Sequence, residues 1–265
     1  MSTILTSLEK SKIMRILFIG DIYMELGQKA FNKYFLQVKQ EYKPNFIIVN
    51  GENIEKGNGL SEKTYKEYLA LGVNVFTLGN HAFSRSDYKE VLDLPYVVRP
   101  ANYGRNTAGK EYVIINYNDK KICVINLIGR IFMHDPTDNP FVKADELLKE
   151  IKADYIVIDF HAEATSEKYA LAHYLDGRVD AIVGTHTHVP TADNFVLPKG
   201  TLYISDVGMT GAKHGVIGGN IEQAIRKFIT GVPERVKPQN ESVLQFNAVL
   251  IDLLQKKIER INIFE

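Results

Sequence analysis

Short runs of apolar, β-branched residues alternate with longer amphipathic stretches along this chain. The runs are nearly continuous in apolar residues, which is typical of strands covered on both faces of a sheet. The longer stretches repeat apolar residues at helical spacing, as at Phe31, Tyr34, Phe35 and Val38. The alternation therefore predicts an α/β fold. The predicted strands are RILFIG (15–20), NFIIVNG (45–51), VNVFTLG (73–79), EYVIINY (111–117), KICVINLIG (121–129), DYIVIDF (154–160), DAIVGT (180–185) and TLYISDVG (201–208).

Local signals place several element ends. Ser61 is a suitable N-cap for a helix that stops at Gly72. Asn220 and Gln223 have the spacing of a capping box at the start of another helix. The last 24 residues alternate between apolar and polar positions and contain the turn-like sequence QKK (255–257), which predicts a closing antiparallel hairpin.

The chain contains no internal repeat, low-complexity tract or proline-rich linker, so we expect a single domain over 14–265. Residues 1–13 precede the first strand pattern and are predicted to be a dispensable extension. They lack the apolar segment and cleavage site of a secretory signal. No apolar stretch approaches the roughly 20 residues needed to span a bilayer, which predicts a soluble protein without a membrane partner.

Polar residues of metal-ligand type stand at the ends of five predicted strands. Because the carboxyl ends of strands line the binding crevice of α/β folds, these side chains are expected to meet in space. They are Asp21 after the first run, Glu52 and Asn53 after the second, Asn80 and His81 after the third, His161 after DYIVIDF, and His186 and His188 after DAIVGT.

Carboxylate, amide and imidazole groups without a thiolate suit iron, manganese or zinc. The set exceeds what one ion needs, and two ions sharing a carboxylate would use all of it. Two metals about 3.5–4 Å apart activate water and neutralise charge on a transferring phosphoryl group, so the natural reaction is phosphoester hydrolysis.

Each of these residues also has a structural interpretation. Asp21 could cap the next helix, Glu52 and Asn53 could belong to an ordinary turn, and His161 could be a hydrogen-bonded core histidine. The two imidazoles of THTH (185–188) are the hardest to explain structurally. Residues away from strand ends are left out of the ligand set; they are His134, His173, His214 and Arg130. Asp206 stands near a strand end and is expected either to orient a ligand or to cap a loop.

Composition narrows the class of protein. The chain has 265 residues, 45% of them hydrophobic and 10% aromatic, which is enough to build a large core. Lys and Arg total 32 and so do Asp and Glu, which argues against strong non-specific nucleic-acid binding. The lone cysteine, Cys123, lies in an apolar run and is predicted to be a buried thiol, and its isolation favours a reducing, cytoplasmic compartment.

The ordered motifs resemble a known family. IGD, NGEN, LGNH, DFHAEATSEK, GTHTHVPTADN, LPKGT and SDVGMTG are similar to those of the bacterial YmdB-type metallophosphoesterases, within the calcineurin-like dinuclear superfamily. The resemblance runs from about Met14 to the C-terminus. It implies a two-sheet sandwich flanked by helices, the calcineurin-like metallophosphoesterase fold.

The resemblance also implies a site and an activity. Asp21, Glu52, Asn53 and His188 would hold one ion, with Glu52 bridging to a second held by Asn80, His161 and His186. The cofactors would be two divalent transition-metal ions, with iron or manganese favoured over zinc. A bridging hydroxide would attack a 2′,3′- or 3′,5′-cyclic nucleotide, and His81 would protonate the leaving group.

The chain departs from the wider superfamily after its first strand. The superfamily usually has Asp, any residue and His there, whereas this chain has Asp21, Ile22 and Tyr23. One imidazole is therefore replaced, and Asn53 would supply an oxygen ligand instead.

Two other functions stay open from the sequence. The same metals could serve a phosphomonoesterase or a phosphoprotein phosphatase, and a regulatory protein could use the metal cluster to order a docking surface. A homo-oligomer is left open as well.

Overall fold

The computed structural model describes residues 14–265. The extension predicted for 1–13 lies outside the described residues, and the assignment of 14–265 to one domain stays a prediction. The strands are β1 (Arg15–Ile19), β2 (Phe46–Asn50), β3 (Val75–Thr77), β4 (Val97–Val98), β5 (Tyr112–Tyr117), β6 (Lys120–Ile128), β7 (Tyr155–His161), β8 (Ala181–Thr185), β9 (Phe195–Val196), β10 (Leu202–Ile204), β11 (Gly211–Ala212), β12 (Leu244–Asp252) and β13 (Lys257–Phe264). The helices are α1 (Met24–Tyr42), α2 (Glu62–Leu71), α3 (Tyr88–Asp93), α4 (Pro140–Glu150), α5 (Thr165–Leu175) and α6 (Ile221–Thr230).

The strands form two sheets. In the first sheet β1, β2, β3 and β4 run parallel, and β1 pairs antiparallel with β12. Strand β12 also pairs antiparallel with β13 and with β11, so the predicted C-terminal hairpin is confirmed. In the second sheet β6, β7, β8 and β10 run parallel, with β5 and β9 antiparallel at its two edges.

The alternation of side chains along the strands explains why the two sheets stack. On β1, Ile16 and Phe18 face the second sheet, where they join a core with Val157 and Val183. Their neighbour Leu17 points to the opposite face and packs under the helices. Burial on both faces explains why these strands are continuous apolar runs.

Helices cover the outer face of each sheet. Helices α1 and α2 pack on the first sheet and on each other, with Phe31 of α1 stacked on Tyr68 of α2 at 4.1 Å between ring centroids. Helices α4 and α5 pack on the second sheet, where Leu147 and Leu171 are buried. Cys123 is buried in this second helical interface, as predicted. The predicted two-sheet sandwich flanked by helices is confirmed.

Several predicted element ends are confirmed, but the strands predicted over 73–79 and 201–208 are shorter in the structure, at Val75–Thr77 and Leu202–Ile204. Ser61 accepts a hydrogen bond from Thr64 N, and Gly72 ends α2 in a left-handed conformation. Asn220 caps α6 through Gln223 N, but the other half of the predicted capping box is wrong. The Gln223 side chain instead accepts from Lys237 N at 2.8 Å. The two-residue strands β4, β9 and β11 were not predicted, because two residues carry no periodic signal.

Candidate active site

The polar residues predicted to meet do so at the carboxyl end of both sheets. The first sheet contributes the residues that follow β1, β2 and β3, and the second contributes those at the ends of β7 and β8. Neighbouring parallel strands bring their carboxyl ends together, so residues far apart in sequence become neighbours. All eight predicted site residues lie in one connected cluster, namely Asp21, Glu52, Asn53, Asn80, His81, His161, His186 and His188.

Glu52 lies at the centre of this cluster. Its Oε1 is 3.2 Å from His161 Nε2 and accepts a hydrogen bond from Asn53 Nδ2 at 3.0 Å. Its Oε2 accepts from the backbone N–H of His81 at 3.3 Å. The carboxylate therefore contacts both His161 and Asn53, which belong to the two donor groups described next. A carboxylate shared between two ions would have to lie between two such groups.

A first group of donors surrounds Glu52, His161 and His186. These three side chains each offer a ligand atom within 4.8 Å of the others, the spacing of a metal site. His161 Nε2 is also 3.0 Å from His186 Nδ1 and 3.0 Å from Asn80 Oδ1. Two nitrogens and two oxygens thus converge on one point.

A second group comprises Asp21, Asn53 and His188. His188 Nε2 is 4.0 Å from Asp21 Oδ1 and 3.3 Å from Asn53 Nδ2. Asp21 is fully buried, and its Oδ1 has no hydrogen-bond partner among residues 14–265. A buried carboxylate oxygen without a partner is costly unless a cation meets it. The donor set and this oxygen fit a metal ion.

Each imidazole is oriented by a second group behind it. His161 Nδ1 lies 2.9 Å from Thr185 Oγ1, which donates to the buried Asp159 at 2.7 Å. His186 Nε2 lies 3.2 Å from a carboxylate oxygen of Glu163. Hydrogen bonds to the outer nitrogen fix the ring and its tautomer, so Nε2 of His161 and Nδ1 of His186 are left to face the cluster.

His188 follows the same rule. Its Nδ1 is 3.0 Å from the carbonyl oxygen of Ile217, which leaves Nε2 for the cluster. The ring also meets Tyr23 edge-on, with 5.2 Å between centroids. Tyr23 stands where the resemblance to the wider superfamily predicted a histidine, and its ring packs against the side of His188.

The surroundings shift the pKa values of the site residues in different directions. Burial raises the pKa of Asp21, and the neighbouring carboxylates add to this. Burial alone would also raise the pKa of Glu52, but His161 outweighs it and lowers that pKa below its usual range. Burial lowers the pKa of His186 to about 3, with the neighbouring His161 adding to this. Burial alone would also lower the pKa of His161, but Glu52 outweighs it and raises that pKa to about 9.

The structural alternatives fare differently. Asp21 does not cap α1, because the N-cap is Tyr23 and no side chain bonds there. His161 is buried and hydrogen-bonded, as a core histidine would be, but its Nε2 faces the cluster. The residues left out of the ligand set are all exposed; they are His134, His173, His214 and Arg130.

The THTH loop is held in an unusual conformation. His186 has φ 103° and His188 has φ 65°, values that side chains other than glycine rarely adopt. Lys168, fully buried on α5, donates to Thr185 O and to Asp206 Oδ2, both at 2.9 Å. Asp206 in turn accepts from Thr187 N at 2.9 Å, so it orients this loop from behind.

Lys168→Met is expected to destabilise the protein by about 3–5 kcal/mol, because it leaves the buried Asp206 carboxylate without its cation. The measurement is the free energy of unfolding in urea, made in the presence of a chelator so that metal binding does not contribute. Lys66→Met breaks an ion pair in which both side chains are largely exposed and is the control, expected to change stability little. Equal effects of the two substitutions would contradict the role of Lys168.

Gly79 allows the close approach of the two sheets at the site. A Cβ atom there would overlap Glu52 Oε2 and His161 Nε2. Because of this overlap, the residue before Asn80 must lack a side chain if Glu52 and His161 are to approach each other.

A profile of the YmdB-like protein family matches residues 17–264. The chain belongs to that family. A 2′,3′-cyclic-nucleotide 2′-phosphodiesterase of Bacillus subtilis (strain 168) is 47% identical over 256 residues, which cover 94% of this chain and 96% of the relative. The predicted family is thereby confirmed.

Solved structures agree with this assignment. A hypothetical protein from Thermus thermophilus is 42% identical with a TM-score of 0.89, covering 95% of this chain and 100% of that one. A crystal structure described as a novel phosphatase of Mycoplasma pneumoniae is 38% identical with a TM-score of 0.88, covering 96% of this chain and 94% of that one. The prediction of a hydrolytic phosphoesterase with the metallophosphoesterase fold is confirmed.

In this YmdB-like chain the cluster opens into a cleft of about 690 Å³. Glu52, His81 and His188 line its floor, and Tyr23 lines one side. Another wall comes from residues 216–236, which include part of α6. Among the described residues, no helix is both long and apolar enough to cross a membrane.

Sequence reasoning missed the supporting residues. Asp159 and Thr185 lie inside predicted strands, where polar residues gave no sign of a shared hydrogen bond. Lys168 and Glu163 stand in the long DFHAEATSEK motif, which was the one available signal.

Proposed function

We propose that this protein is a two-metal phosphodiesterase that hydrolyses 2′,3′-cyclic nucleotides. The observation that carries the proposal is the cluster of buried and half-buried carboxylate, amide and imidazole donors on the floor of an open cleft. The name of the Bacillus subtilis relative supports the substrate class.

In the proposed assignment, one ion is held by Asp21, Glu52, Asn53 and His188. The other is held by Glu52, Asn80, His161 and His186, so Glu52 is the bridge. Bound there, the ions would supply an activated water and neutralise charge on the phosphoryl oxygens. The mixed oxygen and nitrogen donors suit iron, manganese or zinc, of which iron or manganese is proposed.

His81 is proposed as the proton donor. Its backbone N–H is held by Glu52, and its imidazole lines the cleft beside Asn80, with 3.4 Å between His81 Nε2 and Asn80 Nδ2. Water adds its oxygen to phosphorus and releases a proton, the bond from phosphorus to the ribose O2′ breaks, and His81 gives its proton to O2′ and is reprotonated from solvent. The product is a 3′-phosphomonoester.

Metal analysis and a substrate screen test the proposal together. We expect close to two transition-metal ions per chain, loss of activity on chelation and recovery when iron or manganese is returned. The screen compares 2′,3′-cyclic, 3′,5′-cyclic and monoester substrates, with the 2′,3′-cyclic nucleotides hydrolysed fastest. Full activity with one ion would remove the two-metal assignment, and faster hydrolysis of monoesters would make the protein a phosphatase.

His81→Ala is expected to slow hydrolysis of a 2′,3′-cyclic nucleotide by about 100- to 10,000-fold while both ions stay bound. Bis(4-nitrophenyl) phosphate has a much better leaving group that scarcely needs a proton, so its hydrolysis loses less. Metal content, melting temperature and the two rates are measured in the same preparation.

Ser84→Ala is the control for His81→Ala, because Ser84 Oγ lies 3.4 Å from the ring and its loss leaves the imidazole in place. A histidine that merely stabilises its turn would give equal losses on both substrates and a lower melting temperature.

A further inference from the structure

Outside the donor cluster, the wall of the cleft carries positive charge. Lys56 comes from the loop after β2, Lys227 from α6, and Arg235 from the segment after α6. None of the three forms an ion pair with a carboxylate within residues 14–265. The carboxylates that line the cleft are Glu52 and Glu163, and both contact site histidines.

The scissile phosphate does not account for these cations. In the proposed function its charge is met by the metal ions on the floor. The chain has no net charge, so three unpaired cations in one cleft are a local feature rather than part of a basic surface. Their chemistry matches a second phosphate group on the substrate.

The same wall presents an aromatic ring. Phe228 lines the cleft, yet 81% of it is exposed to solvent. Exposed aromatic rings beside cations are how proteins bind single-stranded nucleic acid, because each base can stack on a ring while its phosphate meets a cation. Ile217 lines the cleft nearby and is also exposed.

The cleft is also large enough to hold more than a single nucleotide. Its volume of about 690 Å³ lies well inside the range of ~300–1,000 Å³ that accommodates drug-sized ligands. A cyclic mononucleotide is a small member of that class. The cleft therefore has room beyond the nucleotide whose phosphate sits at the metals.

We propose that the preferred substrate is a short RNA ending in a 2′,3′-cyclic phosphate, with its penultimate nucleotide held by Lys227, Arg235 and Phe228. This inference rests on the proposed phosphodiesterase function. Hydrolysis converts the cyclic end to a 3′-phosphate, with water supplying the oxygen to phosphorus and a proton to O2′. Such ends are produced by RNA cleavage through attack of the 2′-hydroxyl, so that class of reaction would supply the substrate.

The first measurement compares two substrates in the metal-loaded enzyme. Adenosine 2′,3′-cyclic phosphate is one, and the dinucleotide ApA with a terminal 2′,3′-cyclic phosphate is the other. We expect kcat/KM to be at least about tenfold higher for the dinucleotide, the gain expected from one stacked base and one phosphate contact. The preference falls as salt rises, because it includes a phosphate contact.

Variants then assign the preference to residues. Lys227→Ala with Arg235→Ala, and separately Phe228→Ala, should lower kcat/KM for the dinucleotide more than for the mononucleotide. Lys237→Ala controls for loss of an exposed cation near the cleft, and Ile229→Ala controls for loss of an exposed apolar side chain on α6. Neither control residue lines the cleft, and both variants should keep the wild-type ratio.

The outcomes separate the two proposals. Equal kcat/KM for both substrates overturns the RNA-end inference and leaves the phosphodiesterase function standing. A preference that survives in all the cleft variants overturns the assignment of the penultimate nucleotide to this wall. Failure to hydrolyse either substrate overturns the proposed function and the inference with it, whereas hydrolysis of the dinucleotide alone supports both.

Discussion

Glu52→Gln is expected to lower the metal content of both sites and reduce turnover to background. The substitution keeps the size of the side chain but removes the negative charge that two ions would share. Because each ion loses an anionic ligand, occupancy falls at both positions rather than one. The measurement is metal content by elemental analysis, with hydrolysis of a 2′,3′-cyclic nucleotide on the same sample.

The control for Glu52 is Glu163→Gln. Glu163 contacts the outer nitrogen of His186 and is half-exposed, so its loss should weaken metal binding or activity by about 10- to 100-fold at most. A Glu52→Gln protein that kept two ions and its rate would show that Glu52 is not the bridge. If Glu163→Gln lost more metal and activity than Glu52→Gln, the bridging role would have been assigned to the wrong carboxylate.

Gly79→Ala is the second substitution with a large expected effect. The added methyl group would occupy the space where Glu52 Oε2 and His161 Nε2 approach each other. Those side chains must move apart, so we expect metal binding to be lost and activity to fall by more than about 100-fold, as for loss of a ligand. Metal content and the far-ultraviolet circular dichroism spectrum are measured together.

Gly104→Ala is the matched control, because a Cβ there meets no heavy atom within 4 Å. Gly79 does not adopt a left-handed φ, so alanine is compatible with its backbone and the variant should keep its secondary structure. A Gly79→Ala protein that is folded and holds two ions would contradict the geometry of the site.

The longer strands and the proposed ligands could be predicted from the sequence for one physical reason. A strand covered on both faces must be apolar, so a polar residue directly after it stands out, as Glu52 does after NFIIVNG. His161 ends β7 and His186 directly follows β8, and both were identified in this way. The parallel arrangement brings together the residues within each sheet, and the stacking of the two sheets brings the two sets together.

The parts that could not be predicted depend on contacts between distant segments. Lys168 stands in a helix, where a lysine normally indicates a solvated face, and only its position behind the THTH loop makes it buried. Gly79 resembles an ordinary turn residue until Glu52 and His161 are placed beside it. Phe228 and Arg235 lie 40 and 47 residues beyond His188, and no local pattern links them to the cleft.

The two sheets contribute different types of proposed metal ligand. Binding of the ions would therefore depend on how the two sheets pack together. In the proposed assignment each ion takes oxygen ligands from the first sheet and at least one imidazole from the second. Each ion would therefore cross-link the two sheets. The unfolded chain has no such arrangement, and bound ions therefore stabilise the native state in proportion to the logarithm of their concentration. Sliding one sheet past the other would pull apart both coordination shells at once. The metal ions would thus stabilise the packing of the two sheets as well as take part in catalysis.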